Sequence, residues 1–416
     1  MTGKFALLVC AALFAGVSTV SAEPTVEVLH WMTSGGQAKA MKSLKDDLES
    51  QGGKWIDSPM AGGGGEAAMM SLRSRALAGD PPASVQLKGP LIQEWGELGV
   101  LSSVSGVAES ENWADVLPEG VADIMKYDGQ WVAAPVNVHR LDWLYANPAV
   151  LENAGIEIPG TWDEFNAAAE KLQAMDITPL AHGGQSWQDA SVWEVVVLGI
   201  GGPEFHKKAL VDLDPEALNS ETMVKVFDQM RKLRGFVDDG FSGRDWNLAT
   251  TMVMNGEAAF QIMGDWVKGE FMAAGKEPGK DFICANPPGT DNGYLFIIDS
   301  FAMFEQGSED KQAGQKMFAS LLMGPKFQET FNLYKGSIPV RTDISLDNFD
   351  DCARASNAHM LKTSATGGFL PSATHDMSVR SAVKGAIFDV ITKHFNSDMS
   401  GEDAAKQLSD AIALAQ

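Results

Sequence analysis

The sequence predicts an α/β protein of two lobes, each a mainly parallel sheet flanked by helices, and three observations carry that prediction. Short apolar runs alternate with segments of helical periodicity, the pattern that builds parallel strands joined by crossover helices. At 416 residues the chain is long enough for two ordinary domains. An extended segment, Gln130-Trp131-Val132-Ala133-Ala134-Pro135-Val136-Asn137, reads as a crossing from one body to another.

A leader precedes the alternation. Lys4 supplies a positive start, Phe5 to Val20 an apolar stretch broken only by small residues, and Val20-Ser21-Ala22 a small-residue cleavage site. Residues 1–22 therefore read as a secretory signal, with Glu23 as the first mature residue and the periplasm as the destination. The apolar run is shorter than the ~20 residues a membrane helix needs. Cys10 follows Val9 within that run and does not read as a lipid-attachment cysteine. Two later apolar runs, Val192 to Ile200 and Leu295 to Phe304, are short and carry Glu194 and Asp299, so they read as core elements.

The elements follow in order. Val26 to Trp31 is a run suited to a buried strand. Thr33-Ser34-Gly35-Gly36 leads into a helix over about 37–49, where Ala40, Met41, Leu44 and Leu48 form the core-facing stripe. The glycines 62–65 precede a second helix with Ala68, Met69, Leu72 and Leu77 inward. Val85 to Leu87 is a strand, and Leu91 to Trp95 a helix. Later, Thr161-Trp162-Asp163-Glu164 is a capping box opening a helix that buries Phe165, Ala168, Ala169 and Leu172. Met254 to Phe260 reads as a helix end, a turn and a strand. Ligands of α/β sheets sit at the carboxyl ends of strands, so the loops after His30, Met60 and Leu87 are the candidates to converge.

Composition excludes several functions. The chain holds 55 Asp and Glu against 32 Lys and Arg, which opposes nucleic-acid binding through phosphate neutralisation. After cleavage only Cys284 and Cys352 remain, either as one bridge or as two buried thiols. Neither has metal-ligand spacing, and no metal or other cofactor is expected. No nucleophile elbow, zinc-protease helix, phosphate loop or dinucleotide fingerprint occurs. By contrast, tryptophans are abundant: eleven, against four tyrosines, with Trp31, Trp187, Trp246 and Trp266 in predicted loops. Indole faces cover the C–H faces of a sugar ring, while carboxylates, amides and ammonium groups pair with its hydroxyls.

Segments along nearly the whole mature chain resemble the extracellular solute-binding proteins of sugar ABC importers, family 1, the maltose-binding-like class. The general markers are Pro159-Gly160-Thr161-Trp162-Asp163-Glu164-Phe165, Gly256-Glu257-Ala258-Ala259-Phe260 and Lys335-Gly336-Ser337-Ile338-Pro339-Val340-Arg341. Five further segments are similar to the glucose- and galactose-binding branch: Leu29-His30-Trp31 with Thr33-Ser34-Gly35-Gly36, Gln86-Leu87-Lys88-Gly89-Pro90, Pro135-Val136-Asn137-Val138-His139-Arg140, Met263-Gly264-Asp265-Trp266 and Asp299-Ser300-Phe301.

The resemblance implies a two-lobed periplasmic-binding-protein fold, a monomer that catalyses nothing, a small sugar as ligand and membrane permease subunits as partners. It implies a first lobe of residues 23–136 with about 294–340, and a second of about 137–293 with 341–416. Trp31 and Trp266 would face the sugar ring from opposite lobes, and Trp187 is a further candidate surface. Gln86 and Lys88 would donate from the first lobe, and Asp299 and Lys335 would bond hydroxyls near the hinge. Asn137 and His139 read equally as ligand contacts or as a hinge network. Four departures stand out: Met32 where the branch has a second tryptophan, Gln37 (kept as a candidate contact) where it has an acid, Ile297 where it has asparagine, and no histidine near Thr366 to Phe369, with His375 a few residues on. Rival readings are an oligosaccharide, polyol, glycerol-phosphate or sulfonated-sugar ligand on the same fold, and a secreted glycoside hydrolase built on a carboxylate pair.

Overall fold

A computed structural model describes residues 23–118 and 120–416, so the predicted signal segment lies outside it. The first strand, β1 (Thr25–His30), buries Val26, Val28 and Leu29 and pairs in parallel with β2 (Lys54–Pro59) and β3 (Ser84–Leu87). The helix Gly35–Ser50 between β1 and β2 turns Ala40, Met41, Leu44 and Leu48 inward, as their spacing requires. The helix Glu66–Leu77 between β2 and β3 buries Ala68 and Leu72 but leaves Met69 half-buried and Leu77 91% exposed. Leu77 follows Leu72 by five residues, about 140° further round the helix, and so leaves the buried stripe.

The chain then forms a hairpin of β4 (Lys126–Tyr127) and β5 (Gln130–Trp131) before β6 (Ala133–Pro135). The expected extended segment is thus divided at Val132, whose N–H bonds to the Met125 carbonyl. After β7 (His139–Arg140) come β8 (Leu144–Ala146), β9 (Thr178–Leu180), β10 (Ala258–Ile262) and β11 (Ile283–Ala285), and then β12 (Tyr294–Ile297), β13 (Ser300–Met303) and β14 (Phe369–Pro371).

These strands build one sheet of order β2-β1-β3-β13-β6, a second of order β11-β8-β10-β9, and a small third, β14-β12-β7, among residues flanking the crossing. In the first sheet β13 runs against β3 and β6, so it is the one reversed strand. In the second, β8 runs against both β10 and β11, while β10 and β9 are parallel. Each sheet is therefore mainly parallel in strand direction with one antiparallel strand inserted. Helices flank both, giving the two-lobed α/β fold.

The two apolar runs resolve differently. Val192 to Ile200 lies within the helix Ser186–Leu210. Leu295 to Phe304 is broken at Ile298-Asp299, where the chain leaves the third sheet in β12 and enters the first in β13. That break places a carboxylate between two sheets. The capping box forms as predicted, with Thr161 Oγ1 accepting from the Glu164 N–H and Glu164 accepting from the Thr161 N–H. Cys284 of β11 and Cys352, near the start of the helix Asp351–Thr366, form a disulfide across 68 residues. Among the described residues, no helix is long and apolar enough to cross a membrane.

Candidate functional site

Strand direction gathers the site. β1 and β3 are parallel, so Trp31, just past β1, and Lys88, just past β3, emerge at one edge of the first sheet. β13 is antiparallel to β3 with Ser300 opposite Leu87, which sets Asp299 at that same edge. Gln86 arrives from the end of β3, and Gln37 from the first turn of the helix Gly35–Ser50. Gly63 and Gly64 come from the turn before the next helix. A Cβ at Gly63 would lie 2.5 Å from Trp187 Cζ2, so this turn must be bare for the indole to approach.

From the other side come Trp187, Trp246 and Trp266. The sequence reading places these indoles in loops; they occupy the first turns of the helices Ser186–Leu210, Trp246–Met254 and Trp266–Ala273. The helices of Trp187 and Trp266 follow strands β9 and β10, so there the helix start, and not only the loop, lies at the strand's carboxyl end; the helix of Trp246 follows another helix. His139 enters from β7 and Lys335 from the last residue of the helix Pro325–Lys335. Together with Ile297 and His375 these residues line one cavity.

Nine of the ten candidate residues, Trp31, Gln37, Gln86, Lys88, His139, Trp187, Trp266, Asp299 and Lys335, lie on the cavity wall. Asn137 does not. It stands behind the wall, donating from Nδ2 to Asp299 Oδ2 at 3.2 Å and accepting the Asp299 N–H at Oδ1 at 2.9 Å. His139 belongs to both settings: it lines the cavity, and its Nδ1 meets Asp265 while its Nε2 lies 3.0 Å from Asp299 Oδ2. Met32 packs into the core, so the missing second tryptophan takes no side chain from this wall.

Sequence reasoning left Trp246, Ile297 and His375 off the candidate set. The histidine sought near Thr366 to Phe369 has a counterpart on the wall in His375, because Thr366 ends a helix and Phe369 begins β14, whereas the turn after β14 reaches the cavity. Its ring packs against Trp187 and Trp266, with centroids 6.1 and 5.4 Å away.

The electrostatics centre on Asp299. Burial alone would raise its carboxyl, but His139, Lys335 and Lys88 outweigh burial and hold it far below the usual carboxylate range. Gln86 Nε2 donates to its Oδ1 at 3.2 Å, and Gln86 Oε1 accepts the Trp31 N–H. Lys88 and Lys335 are both depressed from the ordinary lysine value, first by burial, with Asp376 and Asp299 respectively resisting the shift. Each ammonium also lies near an indole: Lys88 5.6 Å from the Trp31 centroid, Lys335 5.9 Å from that of Trp266. Arg140, the one arginine of the candidate loops, is engaged with Asp142 and Asn286 and is not on the cavity wall. Among the described residues, no cluster of three or more His, Cys, Asp or Glu side chains is placed to hold a metal.

A wall of indoles, two ammonium groups, a carboxylate and amides is chemistry for a polyhydroxylated ring. Residues 43–325 match the bacterial extracellular solute-binding protein family. The chain belongs to that family. A probable sugar-binding periplasmic protein of Brucella melitensis is 49% identical over 97% of this chain and 96% of its own length. One of Rhizobium meliloti with the same description is 46% identical over 98% of each chain. Among solved structures, the bacterial solute receptor AcbH, described as exclusively preferring β-D-galactopyranose, superposes with a TM-score of 0.78 at 19% identity, covering 94% of this chain and 98% of its own. That likeness is one of fold.

Proposed function

We propose that this solute-binding protein captures a monosaccharide, a hexose such as glucose or galactose, in the periplasm and delivers it to the permease subunits of an ABC importer. One observation carries the reading: Trp31, Trp187, Trp246 and Trp266 meet Lys88, Asp299, Lys335, two glutamines and two histidines around a single cavity. The indoles supply apolar faces, and the polar groups supply donors and acceptors for a hydroxyl rim that must be fully paired when buried. The sugar-binding descriptions of the relatives support a sugar as the ligand.

In this reading the protein acts as a monomer, residues 1–22 are its export signal, and the lobes divide at residues 136 and about 294 and 340. Closure of the lobes excludes water and strengthens each enclosed hydrogen bond. The protein binds without catalysing. Glycoside hydrolysis by the usual route needs two carboxyl groups flanking the bond, and Asp299 is the only carboxylate on the cavity wall among the described residues. Engagement of Arg140 elsewhere weighs against an anionic ligand.

The test is titration calorimetry of the purified protein with glucose, galactose, xylose, glycerol and maltose, alongside an aryl-glycoside turnover assay. Stabilisation by a hexose without turnover supports the proposal. Binding confined to maltose or glycerol, or release of the aryl group, overturns it.

A further inference from the structure

Glu194 is fully buried in the helix Ser186–Leu210, away from the cavity wall, and its carboxylate takes five hydrogen bonds. Oε1 accepts from His206 Nε2 at 2.9 Å and from the Ala373 N–H at 2.8 Å. Oε2 accepts from Ser372 Oγ and Thr374 Oγ1, both at 2.6 Å, and from the Thr374 N–H at 3.1 Å. Four of the five come from the three residues immediately before His375. Burial, the largest single influence, would raise the Glu194 carboxyl, but the bonds and charge of His206 with the bonds of Ser372 and Thr374 together hold it below the usual carboxylate range. A buried carboxylate of this kind is costly unless its partners are fixed, so the turn Ser372–Thr374 is fixed with it.

One turn earlier on the same helix face stands Ser191. Its Oγ donates to the Trp187 carbonyl at 2.7 Å, and a hydroxyl has one proton to give. At 2.8 Å from His375 Nε2, that oxygen can only accept, so Nε2 carries the ring proton. Burial, then the charges of Lys88 and Lys384, keep the ring neutral. Nδ1 is therefore bare, and it makes no hydrogen bond to protein among the described residues although His375 lines the cavity. The next residue, Asp376, holds the left-handed conformation at φ 59°, with its carboxylate between Lys384 and Lys88.

We propose that Glu194 is a positioning residue that, with Ser191, fixes His375 in the Nε2–H tautomer with Nδ1 turned to the cavity as an acceptor, so that the site selects a ligand hydroxyl at that point. This rests on the cavity's being a sugar site, and it adds the tautomer and the residue that enforces it. Glu194 touches no ligand. Its effect passes through the turn Ser372–Thr374.

Two measurements test it. Nitrogen NMR of histidine-labelled protein, without ligand, should show His375 protonated at Nε2 in the wild type and a mixture of tautomers in Ser191→Ala and in Glu194→Gln; an Nδ1–H tautomer in the wild type, or a wild-type tautomer in a folded Glu194→Gln, overturns the proposal. Calorimetry with glucose, galactose and their monodeoxy derivatives should show binding to Glu194→Gln roughly tenfold weaker, the cost of one mispaired buried hydroxyl. Discrimination against one deoxy position should be lost with it. Unchanged affinity and unchanged deoxy selectivity in a folded Glu194→Gln overturn the proposal. Ser191→Ala, which removes one hydrogen bond, gives the same readout should Glu194→Gln not fold. If the wild type binds no sugar, the sugar reading fails, and the tautomer measurement still decides the positioning claim.

Discussion

Lys335 Nζ lies 3.8 Å from Asp299 Oδ2, and both side chains are more than nine-tenths buried. The carboxylate also faces His139 at 3.0 Å, so one oxygen balances two potential cations at the base of the cavity. Removing one partner from such a buried set leaves uncompensated charge, typically at a cost of ~3–5 kcal/mol. Asp299→Ala should therefore lower the thermal unfolding midpoint by several degrees and abolish sugar binding. Lys335→Met, which removes the ammonium but keeps apolar volume, should destabilise less while still losing affinity. Scanning calorimetry with and without hexose checks both, and an Asp299→Ala protein as stable as the wild type would contradict the charge network.

Trp266 packs against His139, Trp187 and His375, with centroids 5.4, 6.4 and 5.4 Å away. Its indole is thus a shared surface, and Trp266→Ala should weaken hexose binding at least tenfold, whereas Trp266→Phe should retain part of it. The four cavity indoles also make ligand capture visible as a change in tryptophan fluorescence. A titration of wild type and both variants reads affinity directly.

Much of this was legible in the sequence for identifiable reasons. The stripe Ala40, Met41, Leu44, Leu48 and the Thr161–Glu164 box are local signals, set by helix period and by cap chemistry, and both appear where the spacing puts them. Asp299 announced itself as a charge inside an apolar run, although only the sheet pairing shows that the run is two strands of different sheets. Leu77 misled because, five residues after Leu72, it is apolar but about 140° off the buried stripe. Trp246, one of the four indoles singled out, and His375, noted beside the histidine expected earlier, stayed off the candidate set because their place on the wall depends on where long-range packing aims a helix start and a turn.

The Cys284–Cys352 bridge closes a 68-residue loop and ties β11 to the helix Asp351–Thr366. Chain-entropy arguments put its contribution at about 4 kcal/mol. The same helix is capped by Asp350, which pairs at 2.8 Å with Lys268 of the helix that begins at Trp266. Reduction, or the double substitution Cys284→Ser with Cys352→Ser, should lower the unfolding midpoint markedly. Denaturation in the presence and absence of reductant measures it, with free thiols counted to confirm reduction.

Acid should destabilise the protein before its carboxylates titrate. Burial depresses His30 and His375, and burial with the neighbouring Arg231 depresses His394 to about 4. A histidine that binds its proton more weakly folded than unfolded contributes stability that is fully present above its unfolded value of 6.5 and lost as pH falls towards the folded value. The urea midpoint should accordingly fall between pH 6.5 and 4, and continue to fall below that as Glu27 and Asp238, held low by Arg75 and Arg244, take up protons. His394→Asn should flatten the upper part of this profile, and an unchanged profile would contradict the assignment.

On the proposed lobe division, Glu94 of the first lobe meets the second. It sits on the helix Pro90–Glu97 that follows Lys88, and its oxygens accept the Ser381 N–H at 2.8 Å and Ser381 Oγ at 2.7 Å. Ser381 opens the helix Ser381–Phe395, which packs on Ser186–Leu210, the helix bearing Trp187. A carboxylate at a helix N-terminus gains from the helix dipole, and Glu97 adds an ion pair with Arg380 at 2.5 Å. If the proposed lobes close about the ligand, contacts between them stabilise the closed arrangement and not the separated one. The half-buried Glu94 hydrogen bonds are worth about 1 kcal/mol, so Glu94→Ala should reduce hexose affinity by up to about fivefold through a smaller closed population. Scattering from the ligand-free variant should give a larger radius of gyration, while saturating hexose restores the wild-type value; a variant whose affinity falls with no change in either radius would locate the loss in the cavity and not in closure.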